Sequence, residues 1–259
     1  MIISHKYQFL FIGLPFSASS AITKELHKNY QGEPYLRKHS LYHEFYKNAS
    51  EKEKEYFVFA VLRNPMDIAI TIYEKMKANS KGNFTNPELF TENGGHINKK
   101  ERMKFRFIQE NDPTFQEYFL KFYKIPFDNL TNLTLEKCDY IIRYENIEED
   151  YITALKKAGV KNPKPLPFAN KTTGKKNDMS LYYTEEIQKR ASFIFGPFLK
   201  KNNYKFPEFW KYKKIHLISS IIFYIARVIR KWRWKTRKYS QRKSIKGSIY
   251  GDIQRQKNK

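Results

Sequence analysis

The 259 residues of this chain are enough to bury a substantial core, and a single cysteine with six scattered histidines excludes a disulfide framework and a cysteine zinc cluster. The formal net charge is +23, of which residues 211–259 contribute +15 because sixteen Lys or Arg residues stand there against Asp252 alone. The basic body favours an anionic substrate, whereas the strongly basic tail favours nucleic acid or anionic lipid.

Four short runs of β-branched and aromatic residues predict buried strands. Each run is largely apolar and is followed by a helix-like segment, which is the pattern of an α/β protein with a parallel sheet. We therefore expect a single α/β domain whose central parallel sheet is flanked by helices. The four runs are Tyr7–Gly13, Pro34–Lys38, Tyr56–Leu62 and Asp139–Tyr144.

The clearest helix signal follows the third run. Asn64 can cap the helix, Pro65 occupies its first position and Asp67 lies in its first turn. Two further helices are predicted, at Ile147–Lys157 and at Thr184–Phe195, the second of them interrupted by Gly196-Pro197.

Along the chain we expect three segments. Residues 1–210 would form the α/β domain, and within it residues 80–138 would form a helical insert that lines the acceptor region. Residues 211–235 would form a basic amphipathic helix at a membrane surface, and residues 236–259 a basic, disordered tail.

The predicted tail helix is almost wholly apolar from Ile215 to Ile229 and carries one narrow polar stripe. With its tryptophans and flanking lysines, this pattern indicates an interfacial helix on anionic lipid. A helix packed on the body or on a partner chain is the alternative. Nucleic acid is not expected, because the aromatic residues lie in an apolar helix rather than in a stacking groove. The stripe consists of His216, Ser220, Tyr224, Arg227 and Lys231.

The segment "FIGLPFSASSAITKEL", residues 11–26, has the order strand, turn and helix of a phosphate-binding loop. On the frame G-x-x-x-x-G-K-[ST], Gly13 is first and Ser20 is last, but Ala18 and Ser19 replace the second glycine and the lysine. Backbone N–H groups at a helix N-terminus bind anions, and Ser17, Ser19 and Ser20 add hydroxyl donors. An ordinary strand-to-helix turn with capping serines is the alternative.

The segment "VFAVLRNPMDIAITIYEKM", residues 58–76, places Arg63 at the end of a predicted strand and Thr71 two turns into the next helix. A guanidinium and a hydroxyl at that edge could hold a phosphate monoester. The alternative is an arginine that caps a sheet edge and a threonine inside an ordinary helix.

A third stretch, "DYIIRYENIEEDY", is followed downstream by "PLPFANKTTGKKNDMSLYYTEEI". Asn170, Lys171, Lys175 and Lys176 predict a mobile basic loop there. Taken alone, such lysines are usually solvated surface residues.

Together the three stretches resemble the cytosolic-type and carbohydrate-type sulfotransferases that use 3′-phosphoadenosine 5′-phosphosulfate (PAPS). The family's opening loop reads I-P-K-[TS]-G-[ST]-[TS], and "LPFSASS" matches it in part. The family's second motif, R-N-P-x-D-x-x-x-S-x-Y, is matched by "RNPMDIAITIY", with Thr71 in the serine position. The resemblance covers most of residues 6–206 and does not extend to the insert or the tail.

The resemblance implies a single α/β domain built like that of the nucleotide kinases, with PAPS as co-substrate, 3′-phosphoadenosine 5′-phosphate (PAP) as product and no required metal. The opening loop would hold the 5′-phosphosulfate, and Arg63 with Thr71 would hold the 3′-phosphate, over which a lysine would close. The implied cofactor-binding residues are Pro15, Phe16, Ser17, Ala18, Ser19, Ser20, Ala21, Arg63, Thr71, Lys175 and Lys176.

Many members of the family carry a catalytic histidine in the segment that follows the second strand. His39 occupies that segment here and is the candidate general base, since imidazole titrates near neutral pH. A surface histidine without a catalytic role is the alternative, and His43 and Glu44 are the fallback bases.

The family's loop lysine, which neutralises the leaving phosphate, aligns with Phe16, and a phenyl ring supplies no charge. Two other lysines could replace it. Lys24 lies one turn beyond Ser20 on the predicted helix, and Lys38 ends the neighbouring strand, which favours Lys38. The third alternative is a chain that binds the nucleotide and transfers poorly.

The sequence therefore predicts transfer of a sulfuryl group from PAPS to a hydroxyl of an acceptor, a carbohydrate or glycan. A nucleotide or small-molecule kinase of the same fold is one alternative, which Arg63, Thr71 and the missing loop lysine disfavour. A catalytically impaired, membrane-associated relative is the other, and Phe16 favours it. The expected location is intracellular and cytoplasmic, peripheral on the inner face of a membrane.

Overall fold

The structure is a computed structural model that describes residues 1–167, 172–236 and 249–257. The described residues divide into two compact units. The first unit takes its residues from 1–63, 129–170 and 239–259, and the second from 64–128 and 171–238. The predicted division of the chain at residue 210 stays a prediction.

The described residues of the first unit form one five-stranded sheet, which confirms the α/β class. The order across the sheet is β3-β1-β2-β4-β5. β2, β4 and β5 are parallel neighbours, but β1 is antiparallel to both β2 and β3. The sheet is therefore mixed, and the prediction of a parallel sheet is wrong. The strands are β1 (Ile2–Ser4), β2 (Phe9–Ile12), β3 (Glu33–Pro34), β4 (Phe57–Leu62) and β5 (Tyr140–Arg143).

The antiparallel pairing follows from β1, a strand that the sequence analysis did not identify. Residues 5–8 connect β1 to β2, and a parallel crossover needs about a dozen residues or more, so the two strands can pair only as a hairpin. Every side chain of β2 is buried, as is nearly every side chain of β4. This burial on both faces explains why the two strands are continuous apolar runs in the sequence.

β3 is shorter than predicted and lies at the edge of the sheet. Its proline fits an edge strand, and Leu36 has a φ of 57°, which ends the extended backbone. Lys38 and His39 therefore lie in the loop after β3, not in the predicted strand Pro34–Lys38. β3 still runs in the same direction as β2, because both strands are antiparallel to β1.

The described part of the chain contains ten α-helices, of which α1, α2, α3, α7 and α10 belong to the first unit. None of the described helices combines the length and the apolar content needed to cross a lipid bilayer. The helices are α1 (Ser19–Tyr30), α2 (Tyr42–Asn48), α3 (Glu51–Lys54), α4 (Pro65–Lys77), α5 (Lys99–Asn111), α6 (Phe115–Phe122), α7 (Ile147–Lys157), α8 (Glu185–Lys201), α9 (Leu217–Thr236) and α10 (Ile249–Lys257).

Local sequence signals placed α4 and α7 correctly. The Asn64 side chain accepts a hydrogen bond from the backbone N–H of Met66, 2.9 Å away, and Pro65 begins α4 as predicted. α7 has the bounds that were predicted for it.

The predicted interruption of the next helix is wrong, since α8 continues through Gly196 and Pro197. Proline has no backbone N–H, so Pro197 cannot donate the helical hydrogen bond to the carbonyl of Phe193, four residues before it. The hydroxyl of Ser219, on α9, donates a hydrogen bond to that carbonyl instead. A side chain from the following helix thus supplies the hydrogen bond that the Phe193 carbonyl would otherwise lack.

Each unit has its own hydrophobic core. In the first unit, Phe9, Phe11 and Phe59 of the sheet are buried with residues of α1 and α7. The core of the second unit lies between helices, and its buried residues are mainly aromatic and aliphatic side chains of α4, α6 and α8.

Residues 249–257 form α10 within the segment for which the sequence analysis expected disorder. α10 lies against α1 and β3, and the Tyr250 hydroxyl lies 3.0 Å and 2.8 Å from the carbonyl oxygens of Tyr35 and Leu36. The rest of that predicted tail, 237–248 and 258–259, lies outside the described residues.

Replacing Tyr151 with phenylalanine should stabilise the protein. The Tyr151 side chain is fully buried, and within the described chain its hydroxyl has no hydrogen-bond partner. An unsatisfied buried hydroxyl costs about 1–3 kcal/mol, so Tyr151→Phe is expected to raise the free energy of unfolding by about 1 kcal/mol in urea titrations.

Tyr73→Phe is the matched control for this prediction. The Tyr73 hydroxyl is also buried, but it donates to the carbonyl of Pro113 at 2.7 Å. Its loss should lower the free energy of unfolding by about 1 kcal/mol. A Tyr151→Phe variant that is less stable than the wild type would contradict the assignment of an unpaired hydroxyl.

Candidate functional site

Residues 13–18 connect β2 to α1 and form the loop predicted to bind an anion. α1 has no acidic residue in its first turn, and Ala18, its N-cap residue, makes no side-chain capping bond. The N–H groups of a first helical turn lack the carbonyl partners of later turns, although that of Ala21 donates to the carbonyl of Ala18, and the helix dipole gives this end a partial positive charge. The start of α1 can therefore accept an anion.

The loop backbone adopts the left-handed conformation at two residues that are not glycine. The φ angle is 61° at Phe16 and 53° at Ala18. In the family pattern Ala18 aligns with a glycine, and glycine adopts this conformation without a steric penalty. The alanine here keeps the conformation at some cost.

The hydroxyl groups of the loop do not have equal roles. The Ser17 hydroxyl is buried and donates to the carbonyl of Leu14 at 2.7 Å, so its hydrogen closes the loop. The backbone N–H of Ala21 donates to the carbonyl of Ala18 at 3.0 Å. Ser19, which is buried, and Ser20, which is half-buried, lie in the first turn of α1, and their hydroxyls stay the candidate donors to an anion. Pro15 is half-buried.

Arg63 directly follows β4 and is in contact with the loop. Because β2 and β4 are parallel neighbours, their carboxyl ends lie at the same edge of the sheet. The Nη1 atom of Arg63 donates to the carbonyl oxygen of Phe16 at 2.7 Å. The guanidinium also lies 4.0 Å from the centre of the Tyr144 ring, a cation–π contact.

Burial distinguishes Arg63 from a surface arginine, since only 6% of the residue is exposed. The side chain holds a positive charge beside the loop. Because the effective dielectric constant is low where water is excluded, this charge would interact strongly with an anion there. One of the five N–H donors of the guanidinium makes the bond to Phe16, which joins this charge directly to the loop. Sequence reasoning did not assign a role to Tyr144, although the motif that contains it was recognised.

His39 is bound to the other end of the same loop. Its Nδ1 atom lies 2.6 Å from the carbonyl oxygen of Gly13. A carbonyl can only accept, so Nδ1 carries the hydrogen and the lone pair of the neutral ring is on Nε2. A histidine in this tautomer can take a proton at Nε2, which is the property required of a general base.

The two candidate lysines differ in their relation to the loop. The Lys38 carbonyl oxygen lies 3.5 Å from the position that a Cβ atom on Gly13 would occupy, so its backbone runs close beside the start of the loop. Lys38 is half-buried, whereas Lys24 is exposed on α1.

Of the fallback bases, Glu44 is buried and accepts bonds from the Ser40 hydroxyl and other groups, which gives it a structural role.

Thr71, Lys175 and Lys176 belong to the second unit. Thr71 is buried on α4, and Asp67, four residues before it, lies on the same side of that helix. Lys175 forms an ion pair with Asp67 and so lies along this side of α4. The joint action of these residues with Arg63 on one phosphate stays a prediction, and Asn170 and Lys171 lie outside the described residues.

The second unit also contains an open cleft of about 470 Å³ that the sequence analysis did not anticipate. Tyr182 lines the cleft and donates to Glu74 Oε1 at 2.7 Å, while accepting from the backbone N–H of Lys176. Burial raises the pKa of Tyr182 to about 12, so the phenol keeps its hydrogen at neutral pH. The lining includes Tyr73, Glu74, Lys77, Phe115, Lys176 and Tyr182.

In the part of the chain that the structure describes, no group of three or more His, Cys, Asp or Glu side chains could hold a metal ion. The expectation that no metal is required stays a prediction.

No protein-family model, no curated protein and no solved structure matches the chain.

Replacing Ala18 with glycine should stabilise the opening loop. The left-handed conformation costs an L-residue about 1–2 kcal/mol, and part of the gain is lost because glycine makes the unfolded chain more flexible. Ala18→Gly is therefore expected to raise the free energy of unfolding by about 0.5–1 kcal/mol, as measured by urea denaturation.

Ala21→Gly serves as the control, because Ala21 lies in the first turn of α1 with a helical backbone. Glycine at that position should lower the free energy of unfolding by about 1 kcal/mol. If Ala18→Gly destabilised the protein as much as the control does, the left-handed conformation at Ala18 would be wrong.

Proposed function

We propose that the protein transfers a sulfuryl group from PAPS to a hydroxyl group of a carbohydrate or glycan acceptor. One observation carries the proposal. The loop that starts α1 is hydrogen-bonded at its first residue to His39 and at Phe16 to Arg63. A candidate base and a buried cation thus both contact the loop that we propose to bind the anion, all within the first unit.

For the donor, the N–H groups at the start of α1 and the hydroxyls of Ser19 and Ser20 would hold the 5′-phosphosulfate. Arg63 would supply charge-assisted hydrogen bonds to the 3′-phosphate, the group that distinguishes PAPS from ADP and ATP. The resemblance adds Thr71, with Lys175 or Lys176, to that phosphate. These three residues belong to the second unit.

In the reaction, the acceptor oxygen attacks the sulfur atom in line with the leaving phosphate. A bond forms between that oxygen and sulfur, the bond from sulfur to the bridging oxygen breaks, and PAP leaves with the electron pair. The Nε2 atom of His39 takes the proton from the acceptor hydroxyl. The hydrogen bond from Nδ1 to Gly13 fixes the ring in the tautomer that this step requires.

The negative charge that develops on the leaving phosphate needs a nearby cation. Phe16 stands at the family's lysine position with 37% of its surface exposed and cannot supply one. Lys38 is the better replacement because its backbone runs beside the loop and it precedes His39. A nucleotide-binding relative that does not transfer is the second candidate function, and Phe16 is the observation that favours it.

Arg63→Ala should selectively weaken the binding of PAP. Loss of charge-assisted hydrogen bonds to a phosphate is expected to cost about 1.5–3 kcal/mol, or about 10- to 100-fold in the Kd measured by calorimetry. ADP lacks the 3′-phosphate, so its weaker binding should change less. The preference for PAP over ADP should therefore fall in the variant.

Arg190→Ala is the matched control, since it removes the same charge from an exposed position on α8. It should leave the binding of both nucleotides unchanged. Equal affinity of Arg63→Ala and wild type for PAP would refute the proposal. Binding of ATP in preference to PAP by the wild type would favour the kinase alternative instead.

Lys38→Ala should lower the rate of sulfuryl transfer without a comparable loss of PAP affinity. Removing a charge that stabilises the transition state typically costs about 10²- to 10³-fold in kcat. The measurement is release of PAP from PAPS in the presence of a mixed panel of glycans. Phe16→Lys in the Lys38→Ala background should restore part of the lost rate, since it returns a cation to the family position.

Lys24→Ala makes the same change on the exposed side of α1 and should leave the rate close to that of the wild type. A large loss in Lys24→Ala alone would transfer the role to that lysine. A wild type that binds PAP tightly but turns over no donor, even after Phe16→Lys, would identify the protein as an impaired relative.

A further inference from the structure

The outward face of α9 carries a continuous stripe of exposed apolar side chains. At about 100° per residue, these side chains occupy an arc of roughly 140° along about 24 Å of helix. Single exposed apolar residues are common on protein surfaces, but here eight of them, with exposed fractions from 36% to 77%, are neighbours on one face. The stripe consists of Leu217, Ile218, Ile221, Ile222, Ile225, Val228, Ile229 and Trp232.

The opposite face of α9 attaches the helix to the second unit. Phe223 is fully buried there, and the hydroxyl of Ser219 donates to the Phe193 carbonyl that Pro197 leaves open. Arg230 Nε lies 2.9 Å from the buried carboxylate of Asp128. The two groups form an ion pair, but the N–H of Nε does not point at the carboxylate oxygen. The face that carries these polar contacts therefore points toward the protein.

This arrangement is the reverse of an ordinary surface helix, which turns its apolar face inward. The attachment through Ser219 and Arg230 holds α9 on the unit, so the apolar stripe cannot be covered by rotating the helix without breaking both contacts. The stripe is thus held outward by specific bonds, which is the arrangement expected of a docking surface.

Cations border the stripe. Lys231 and Arg233 lie on its two edges by helical position, and both are exposed. Lys211, Lys213 and Lys214, just before α9, are exposed as well. An apolar strip with lysine and arginine on its borders and an exposed tryptophan matches the acyl-chain boundary and the anionic headgroups of a lipid surface.

We propose that α9 docks the protein on an anionic membrane surface, with the helix axis parallel to the membrane and the stripe inserted at the boundary of headgroups and acyl chains. A second copy of the chain fits the same face less well, because symmetric pairing would bring the same cationic edges together. The proposal does not rest on the sulfotransferase function, since its residues lie in α9, in the segment just before it and among the contacts that hold it.

The test is sedimentation of the full chain with phosphatidylcholine vesicles, with and without phosphatidylserine. The wild type should bind the vesicles that contain phosphatidylserine, and added salt should weaken the binding. Ile225→Glu places a charge in the middle of the stripe and should reduce binding at least about tenfold. Since 56% of Ile225 is exposed, the variant should keep the melting temperature of the wild type.

Ile125→Glu is the matched control, because Ile125 is 68% exposed in the same unit but lies outside α9. It should bind vesicles as the wild type does. The double variant Lys231→Gln/Arg233→Gln should measurably lower the dependence on phosphatidylserine, and an unchanged dependence would contradict a role for the cations at the edges of the stripe.

Absence of wild-type binding to the anionic vesicles would overturn the proposal. So would a wild-type dimer in light scattering that Ile225→Glu converts to a monomer while vesicle binding stays at background, since the stripe would then be covered by a second copy. Equal losses in Ile225→Glu and Ile125→Glu would overturn it as well.

Discussion

The parallel pairing of β2 with β4 is the constraint on which the candidate site depends. It brings the carboxyl ends of two strands to one edge of the sheet, so that the loop from Gly13 and the guanidinium of Arg63 meet although they are far apart in sequence. Tyr144, which follows the third parallel strand, covers that guanidinium. His39 holds the start of the loop from the segment after β3. A loop fixed at two points offers its N–H groups in one orientation, and such preorganisation is what an anion-binding site requires.

Under the proposed sulfuryl transfer, Phe16 at the position of the lysine in the resembled family would separate two requirements that a single loop residue would otherwise meet. Recognition of a phosphate needs oriented N–H donors and a cation, and the start of α1 with Arg63 can supply both. Transfer also needs charge at the leaving oxygen, which must come from outside the loop. Since Lys38 adjoins the candidate base in the chain, one short segment would carry both the proton acceptor and the leaving-group cation.

Features that depend on local signals could be predicted from the sequence, and features that depend on distant partners could not. The cap at Asn64 and the apolar runs of β2 and β4 are local, and they placed the edge of the sheet where the candidate site lies. β1 has only three residues and is defined by its partners, so its antiparallel pairing could not be foreseen. The passage of α8 through Pro197 likewise depends on a hydroxyl from another helix. The left-handed backbone at Ala18 was missed because alanine rarely adopts it.

The contact of Tyr250 with the carbonyls of Tyr35 and Leu36 has a mechanical consequence for the first unit. It joins two segments that are more than 200 residues apart in sequence, and the nearer one leads directly into the turn that carries His39. The stiffness of that turn therefore depends in part on whether α10 is packed against α1 and β3. A molecule that displaced α10 would therefore loosen the imidazole of His39 without contacting the loop at residues 13–18.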